Sequence, residues 1–282
     1  MFKIFRAIIN NKKLTNVCIS TVERTNSSCT IVTQCKGVRE ITFNEPETRN
    51  TLSIGMMDTL HENIMKDSND EELRCIVLSS KGPVWSSGHN LKEIAASNAQ
   101  QQMDIFNKLA AIIYSIHSSP VPVIAKINGL ATAGGLQLAA SCDLVVCSDV
   151  SSFSAPAAQI GIFCNTPGVA ISRVMQRLQS NYMLLTGLPI SAQEAYIAGL
   201  ASKVVPEAQL DEEMCRITNS ITTKSRAVIA LGKQFYYKQL NMSLKDAYVA
   251  ASEKMVENLN LDDGREGVKS FLEKREPVWT HK

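Results

Sequence analysis

Several features that mark other classes of protein are missing from this sequence. No apolar stretch is both long enough and free enough of charge to cross a bilayer, so no membrane span is predicted. The net charge is only +2, which argues against a dedicated nucleic-acid-binding surface. The eight cysteines include no Cys-x-x-Cys pair and no Cys/His cluster, so we expect buried reduced thiols. Neither disulfides nor a metal site are therefore predicted.

Acidic side chains are absent from the start of the chain. Met1–Val22 holds four of the 29 basic residues and none of the 27 acidic ones, so the rest of the chain carries a net charge of −2. On a helical wheel Phe2, Phe5 and Ile9 share one face, opposite the basic residues. A basic, amphipathic, acid-free N-terminus is typical of a mitochondrial transit peptide and predicts a location in the matrix. A disordered tail is the alternative interpretation.

Beyond this leader the apolar pattern predicts an α/β protein. Strands are expected at Cys29–Cys35, Val38–Phe43, Leu73–Leu78, Val121–Ile127, Asp143–Cys147 and Leu200–Val205, with helices between them that include Ser53–Asp67 and Gln100–His117. After Glu207 only helical patterns remain. This order predicts a core over residues 29–206, followed by a helical region over residues 207–282.

The segment Ala131–Asp143 is the part of the chain around which the rest is organised. The apolar run Val121–Ile127 leads into it, and Asn128-Gly129 breaks that run before the pair Gly134-Gly135. A strand is therefore followed by a turn and then by a helix, and the free N–H groups at the N-terminus of this helix suit an oxyanion. The alternative is that the glycines only allow the helix to pack closely on a sheet.

Five separated motifs in the sequence resemble those of a known protein family. They are Gly82-Pro83-Val84-Trp85-Ser86-Ser87-Gly88-His89-Asn90-Leu91-Lys92-Glu93, Asn128-Gly129 with Gly134-Gly135, Ser141-Cys142-Asp143, Ser191-Ala192-Gln193-Glu194-Ala195 with Gly199-Leu200, and Gly264-Arg265-Glu266-Gly267. In this order and spacing, over about Cys29 to the C-terminus, the chain resembles the enoyl-CoA hydratase/isomerase (crotonase) superfamily. Ser86–His89 and Phe163–Ala170 resemble one mitochondrial subgroup of it. The resemblance implies a spiral of ββα turns and a C-terminal helical region that forms trimers, often paired into hexamers.

The resemblance also implies a binding site for acyl-CoA thioesters, with no further cofactor. By position, the amides of His89 and Gly134 would form the oxyanion hole that polarises the thioester carbonyl. Ser87 and Lys92 would lie at the coenzyme A site. Phe271 and Lys274, on the last helix, match positions that can reach the coenzyme A site of a neighbouring subunit. For Lys92 and Lys274, a solvated surface lysine is the alternative.

Two positions depart from the family pattern. The resemblance places one hydratase glutamate three residues after the oxyanion glycine, where this chain has Gln137, and the other after Phe-x-x-Pro, where it has Ala157. Glutamine can hydrogen-bond a water but cannot accept and return a proton near neutral pH, and alanine can do neither. Since each positioned acid–base group supplies about 10²–10⁴ in rate, we expect weak hydratase activity or none.

Other side chains can be considered as substitutes for the glutamates. A histidine side chain ordinarily titrates near neutrality, which makes His89 a candidate, but its loop position matters for its N–H, and its imidazole can point elsewhere. Gly161–Pro167 is predicted to be a loop, bounded by glycine and proline. Its residues Cys164, Asn165 and Thr166 would line the acyl side, where Cys164 is either a nucleophile or, as we favour, a packing residue.

Three hypotheses remain open from the sequence. The first is an acyl-CoA-binding protein of lipid metabolism that lacks strong hydratase activity. The second is an enzyme with other thioester chemistry, such as decarboxylation, hydrolysis or isomerisation. The third is a structural or regulatory subunit of oligomers formed with an active relative.

Overall fold

A computed structural model describes residues 29–282 and, for the backbone alone, the short strand at Thr25–Asn26. The predicted transit peptide, Met1–Val22, lies outside the described residues. The larger sheet in this part of the chain has, in spatial order, β1 (Thr25–Asn26), β2 (Thr30–Cys35), β3 (Val38–Phe43), β4 (Cys75–Ser80), β6 (Val123–Ile127), β8 (Leu144–Ser148) and β11 (Lys203–Val205). Its first three strands are antiparallel, and every pairing from β3 to β11 is parallel.

The described residues also form a second, smaller sheet of four strands. Its spatial order is β10 (Ile190–Ser191), β9 (Ser152–Ser154), β7 (Leu130–Thr132) and β5 (Val84–Ser86). The strands β5, β7 and β9 are parallel, and β10 is antiparallel to β9.

The helices of the described residues fill the connections and the C-terminal part. They are α1 (Ile54–Met65), α2 (Leu91–Ala96), α3 (Ala99–Ser118), α4 (Gly134–Ala140), α5 (Asn165–Val174), α6 (Arg177–Thr186), α7 (Ala192–Ala198), α8 (Leu210–Thr222), α9 (Arg226–Gln239), α10 (Leu244–Asn260) and α11 (Asp262–Glu273). Ser53 is the N-cap of α1, because its side chain accepts a hydrogen bond from the Met56 amide.

The two sheets are built from a repeated strand–strand–helix unit. The strands β4, β6 and β8 of the larger sheet are each followed by a short strand of the smaller sheet and then by helix. Successive units approach closely: a Cβ atom at Gly129, whose φ is +113°, would lie 2.1 Å from the carbonyl oxygen of Pro83. The predicted spiral of ββα turns, followed by C-terminal helices, is confirmed.

Both faces of the larger sheet are covered. Ile76, Leu78 and Ala125 belong to the main core, whereas Val77 and Ile124 pack on the other face with Leu210 and Met214 of α8. This explains why the parallel strands appear in the sequence as continuous apolar runs without alternation.

A polar cluster joins the C-terminal helices to the core. The Asp143 carboxylate lies 2.6 Å from Nζ of Lys233 on α9 and accepts hydrogen bonds from the Tyr237 hydroxyl and the Val123 amide. The Lys233 ammonium also donates to the carbonyls of Ile116 and Val121. Burial and the neighbouring Asp143 raise the pKa of Tyr237. Every donor in this cluster has an acceptor, so the cluster fixes α9 against the parallel sheet.

The cysteines agree only in part with their predicted state. Cys75, Cys142, Cys147 and Cys164 are buried free thiols, and burial raises the pKa of Cys75 to about 12. Cys35, however, is disulfide-bonded, so the prediction of reduced thiols is wrong for that residue. Cys215 is a free but exposed thiol. No helix within the described residues has the length and apolar character needed to cross a membrane.

Candidate functional site

The loop after β5 is held in one conformation by its own polar groups. The Ser86 hydroxyl donates to the carbonyl of Asn50 and accepts from the amide of Gly88. The Gly88 carbonyl in turn accepts from the amide of Leu52 at 2.8 Å. Gly88 has a φ of +81°, and a Cβ atom there would lie 2.6 Å from the amide nitrogen of Gly134. Glycine is therefore required where this loop meets α4.

The start of α4 is the other side of that contact. Ala133 has a φ of +50°, which is unusual for a residue with a side chain, and its amide donates to the carbonyl of Ser154 at 3.0 Å. Gly134 follows as the first helical residue, so its N–H has no intrahelical acceptor. A Cβ atom at Gly135 would lie 2.4 Å from the carbonyl oxygen of Ser86, which shows how tightly the helix start abuts β5.

The amides of His89 and Gly134 meet at this junction. A Cβ atom at Gly134 would lie 3.3 Å from both the Cα of Gly88 and the amide nitrogen of His89. Within the described part of the chain, neither the His89 amide nor the Gly134 amide donates a hydrogen bond. Two adjacent free N–H donors, one of them at a helix N-terminus, suit an oxygen that carries or develops negative charge.

Gln137 lies one helical turn beyond Gly134. The residue is only 5% exposed, and its Oε1 atom has no hydrogen-bond partner within the part of the chain that the structure describes. The two residues are three positions apart in one helix, so they lie on the same side of it. A buried amide in this place can hydrogen-bond a bound group, although it cannot transfer a proton near neutral pH.

Ala157 occupies the short 3-10 helix Pro156–Ile160, directly after β9. The strand β9 pairs with β7, the strand that leads to Gly134, and the Ser154 hydroxyl donates to that of Thr132 at 2.8 Å. The Ala157 methyl group is half-buried and packs against the main core. This position therefore contributes no acid, base or hydrogen-bonding side chain.

The imidazole of His89 lies against the same junction. Its Cδ2 atom would be 3.2 Å from a Cβ atom at Gly134, and its ring packs edge-on against Phe106 at 5.1 Å between centroids. Both ring nitrogens are buried, and neither has a hydrogen-bond partner among the described residues. Burial lowers the pKa of His89 to about 4, so the ring is neutral at physiological pH. From the sequence the direction of this side chain was open, and the structure places it beside Gly134.

The segment Cys164–Thr166 differs from its predicted form. These residues were predicted to lie in a loop, but α5 begins at Asn165 and Cys164 is its N-cap. Cys164 is 4% exposed, and burial raises the pKa of its thiol. The thiol is therefore protonated at neutral pH, which favours the packing role over the nucleophile.

The residues predicted to bind coenzyme A fall into two groups. Ser87 and Lys92 are close to His89 in the chain: the Ser87 amide donates to the carbonyl of Arg49, and Lys92 is exposed in the first turn of α2. Phe271 is 81% exposed on α11, and Lys274 caps that helix in the left-handed conformation. Ser87 and Lys92 therefore lie near the start of α2, whereas Phe271 and Lys274 lie among the C-terminal helices, where α11 packs on α9 and α10. The coenzyme A roles of all four residues stay predictions.

Sequence reasoning missed part of this geometry. The strands β5 and β7 and the helix α2 were not predicted, because each is only three to six residues long. The unpartnered polar atoms of His89 and Gln137 were also missed. A histidine beside the oxyanion amide and a glutamine one turn after Gly134 were visible in the sequence, but their burial was not.

Comparison with known proteins agrees with this architecture. A family model described as "Enoyl-CoA hydratase/isomerase" matches residues 33–282. Enoyl-CoA hydratase domain-containing protein 3, mitochondrial, of Xenopus laevis is 49% identical over 253 residues, which cover 89% of this chain and 86% of the relative.

Solved structures show the same fold. The crystal structure of human enoyl-CoA hydratase domain-containing protein 3 has a TM-score of 0.86 and 49% identity, and the match covers 89% of this chain and 100% of that one. For an enoyl-CoA hydratase of Mycobacterium smegmatis the values are 0.87 and 36%, over 89% and 98% of the chains.

These relatives bear on three predictions. The subgroup that Ser86–His89 and Phe163–Ala170 resemble is the enoyl-CoA hydratase domain-containing protein 3 group, and that resemblance is confirmed. The predicted mitochondrial location is also confirmed by relatives that are named as mitochondrial. The match over residues 33–282 and the crotonase fold together establish that this chain belongs to the enoyl-CoA hydratase/isomerase family.

Proposed function

We propose that this chain is a CoA-thioester-binding protein of lipid metabolism in the mitochondrial matrix, with weak hydratase activity or none. The observation that carries this proposal is the junction of two free main-chain amides, those of His89 and Gly134. A thioester carbonyl oxygen accepts hydrogen bonds from such donors, and its acceptor strength rises as it gains enolate character.

The absence of carboxylates from positions 137 and 157 supports the second half of the proposal. Gln137 is buried and uncharged, and Ala157 presents only a methyl group. Water addition to an enoyl thioester needs one group to take a proton from water and another to deliver a proton to carbon. Without the two positioned groups, we expect hydration of crotonyl-CoA to be slower by about 10⁴ or more than in a two-glutamate hydratase.

Binding is tested by removing the carbonyl from the ligand. Isothermal titration of the protein with butyryl-CoA and with S-butyl-CoA, a thioether of the same length, isolates the contribution of the carbonyl oxygen. We expect butyryl-CoA to bind about 10-fold more tightly, the effect of roughly one net hydrogen bond. Equal affinities would contradict the oxyanion site, and failure of both ligands to bind would contradict the whole proposal.

A variant gives the matched control. Gly134→Asp places a negative charge beside the two amides and should abolish the preference for butyryl-CoA. Gly232→Asp, at an exposed helical glycine, should leave that preference unchanged, because an added Cβ atom there would have no described atom beyond its own helix backbone within 4 Å.

Other thioester chemistry is the second candidate function, because free amides can stabilise an enolate or an oxyanion on their own. Decarboxylation needs the fewest protein groups, because no base has to remove a proton: the departing carbon dioxide leaves its electron pair on the carbon next to the carbonyl. A panel of malonyl-type, hydroxyacyl and enoyl thioesters, followed by detection of products and of released coenzyme A, tests this candidate. No turnover on any of them would rule strongly against it.

We also propose that the C-terminal helices assemble subunits into a homotrimer or hexamer. Leu244 and Tyr248 on α10 are 75% and 70% exposed, and Phe271 and Leu272 on α11 are 81% and 73% exposed. Apolar side chains exposed together in this way are typical of protein interfaces. In such an assembly Phe271 and Lys274 would complete the coenzyme A site of a neighbour. Light scattering of the purified protein gives the oligomeric state, and a monomer would contradict this assignment.

The third hypothesis, a structural subunit of a mixed oligomer, makes a separate prediction. If the chain served only to join subunits of an active relative, Gly134→Asp would leave its cellular role intact. Loss of that role in a folded Gly134→Asp protein would exclude it.

A further inference from the structure

Arg74 carries a positive charge that is not paired with any described residue. It directly precedes β4, and its half-buried side chain forms neither a hydrogen bond nor an ion pair within the part of the chain that the structure describes. The Nη1 atom is buried without a partner, whereas Nε and Nη2 stay open to solvent. A partly buried guanidinium is normally hydrogen-bonded and paired, so this group lacks a counter-ion.

This charge is remote from the candidate functional site. The strand β4 has six residues, Cys75–Ser80, and is therefore about 20 Å long. Arg74 lies at the amino end of β4, whereas His89 follows β5, beyond the carboxyl end. The groups around Arg74 thus form a separate cluster.

A second unpaired guanidinium adjoins the first. Arg226, the first residue of α9, donates from Nε to the carbonyl of Leu73 at 3.1 Å and from Nη2 to the carbonyl of Ser68 at 2.6 Å. These acceptors are neutral, and among the described residues no carboxylate forms an ion pair with Arg226. Burial and the neighbouring charge of Arg74 lower the pKa of Arg226. Two like charges therefore lie together without compensation.

The C-terminal tail borders the same cluster. The Asp263 carboxylate accepts hydrogen bonds from the amides of Thr280 and His281. The Nδ1 atom of His281 accepts from the Arg226 amide at 3.2 Å, so in the neutral ring the hydrogen is on Nε2. Burial and the Arg74 charge lower the pKa of His281, which keeps the ring neutral at physiological pH. The imidazole therefore adds one uncharged donor beside the two guanidiniums.

The acidic residues of the preceding loop reduce the positive charge but do not pair with it. Glu71 and Glu72 are exposed, and Asp70 accepts from the Glu72 amide and from the Gln34 side chain. Within the described chain, none of the three acids forms an ion pair with either guanidinium. Exposed charges beyond contact distance are screened by water and salt, so they do not replace a bound anion.

The chemistry of these donors selects the ligand. Guanidinium groups match phosphate oxygens with two parallel hydrogen bonds. A carboxylate has two oxygens and one charge, which suits one guanidinium. A phosphate group offers three or more oxygens and close to two negative charges, which suits two guanidiniums and a neutral donor.

We propose that Arg74, Arg226 and His281 form a binding site for a phosphate dianion, which fixes the C-terminal tail to the start of α9 and to the loop before β4. The site is independent of the proposed thioester site. The phosphate is either free or the terminal group of a phosphomonoester.

The test titrates the full chain with inorganic phosphate and with AMP at constant ionic strength, followed by ³¹P NMR. We expect saturable binding of at least one of them with a dissociation constant of about 1 mM, the affinity of roughly two charge-assisted hydrogen bonds. Tighter binding of inorganic phosphate indicates a site for the free ion, and tighter binding of AMP indicates a site for a phosphomonoester. Arg74→Gln should bind at least about 10-fold more weakly. Arg177→Gln, at an exposed arginine on α6, is the matched control and should bind like wild-type protein.

Thermal unfolding separates a ligand site from a structural role of Arg74. Without phosphate, Arg74→Gln should unfold at the same temperature as wild-type protein or higher, because the variant loses no described hydrogen bond and removes an uncompensated charge. Phosphate at ten times its dissociation constant should raise the midpoint of wild-type protein by about 3 °C and leave that of Arg74→Gln unchanged.

Three results would overturn the phosphate site. They are no saturable binding of either ligand to wild-type protein, equal affinity of Arg74→Gln and wild-type protein, and a midpoint shift that sodium chloride of the same ionic strength reproduces. Glu71→Gln, which removes a nearby negative charge, provides a second variant and should bind about 2-fold more tightly. Since no thioester is present, these results leave the proposed function to its own test with butyryl-CoA.

Discussion

At the C-terminal end of the segment Ala131–Asp143, both oxygens of the Asp143 carboxylate have donors and the buried Lys233 ammonium has three acceptors. At the N-terminal end of the same segment, the amide of Gly134 and the Oε1 atom of Gln137 have no hydrogen-bond partner among the residues that the structure describes. Both ends are polar and largely buried, since the Asp143 side chain is 15% exposed and Gln137 is 5% exposed. They differ in whether the polar groups are satisfied within the chain.

That difference separates structure from function in physical terms. A satisfied buried cluster loses much when one partner is removed, because the remaining charge has nothing to replace it. In an unsatisfied cluster, the free-energy penalty of burying polar groups without hydrogen bonds is already present in the free protein. Binding of a ligand that supplies those hydrogen bonds removes the penalty. Changes at the Asp143 end should therefore alter stability, and changes at the Gly134 end should mainly alter binding and rate.

Restoring two carboxylates at the unsatisfied end should produce the largest effect. We expect the double variant Gln137→Glu with Ala157→Glu to hydrate crotonyl-CoA about 10⁴-fold faster than the wild-type chain, because each positioned acid–base group supplies about 10²–10⁴. Spectrophotometric loss of the enoyl thioester measures this rate. The pair Gln137→Glu with Ala157→Gln, which adds similar volume but only one carboxylate, is the control. A folded double variant with no gain would show that the missing carboxylates do not limit the reaction.

Breaking the satisfied end should come next. Asp143→Asn removes the charge that Lys233 faces at 2.6 Å and leaves a buried ammonium, whose side chain is only 7% exposed, without a counter-ion. We expect the free energy of unfolding in urea to fall by about 3–5 kcal/mol. Glu257→Gln, which opens the exposed pair with Lys254, should cost less than about 1 kcal/mol. Similar losses in the two variants would mean that the Asp143 cluster is not a structural anchor.

The pH dependence of stability should report the unpartnered imidazole. His89 has a pKa of about 4 in the folded protein, against 6.5 in the unfolded chain. Between these values only the unfolded state binds the proton, so the His89 contribution to stability is complete above pH 6.5 and is lost as the pH falls to 4. The loss amounts to about 3 kcal/mol.

The matched variant for this prediction is His89→Gln, which cannot titrate. Relative to wild-type protein, this variant should gain about 3 kcal/mol of stability on going from pH 7 to pH 4, because only the wild-type protein loses the His89 contribution. A constant difference between the two proteins over that range would show that the imidazole is partnered or solvated in the folded state.

The two neighbouring glycines should give the smallest effects on stability, with opposite consequences for binding. A Cβ atom at Gly135 would lie 2.4 Å from the Ser86 carbonyl oxygen, whereas one at Gly134 would have its nearest neighbour at 3.2 Å. We expect Gly135→Ala to cost about 1–3 kcal/mol and Gly134→Ala less than about 1 kcal/mol. Gly134→Ala should nevertheless weaken butyryl-CoA binding, because the new methyl group crowds the His89 amide. The reverse order of stabilities would contradict the packing at this junction.

Much of the fold was predictable because its elements are long and strongly patterned. Gln100–His117 was predicted as a helix and α3 spans Ala99–Ser118, and the predicted strand at Val38–Phe43 is β3. These elements bury continuous apolar surface, so local pattern and tertiary packing agree.

The smaller sheet was less accessible to sequence reasoning. A strand such as β5, Val84–Ser86, is too short for a periodic pattern and is defined by its partner in the next repeat. The start of α5 was also missed, because Pro167 suggested a loop although proline is well tolerated in the first turn of a helix.

For the site, the chemical identity of the residues was visible but their environment was not. The resemblance implied that His89 and Gly134 form an oxyanion pair, and the structure places these two residues side by side. That the His89 ring turns toward Gly134, and that Gln137 has no partner, depends on packing with α3 and β5, which local sequence does not encode.

The central claim is that the amides of His89 and Gly134 polarise a thioester carbonyl. Infrared difference spectroscopy of butyryl-CoA with a ¹³C-labelled carbonyl measures this directly, since hydrogen bonds to the oxygen lower the stretching frequency of the labelled bond. We predict a lower carbonyl frequency in the complex with wild-type protein than in water, and a return toward the free value with Gly134→Ala. A bound thioester whose carbonyl frequency equals or exceeds that in water would contradict the account.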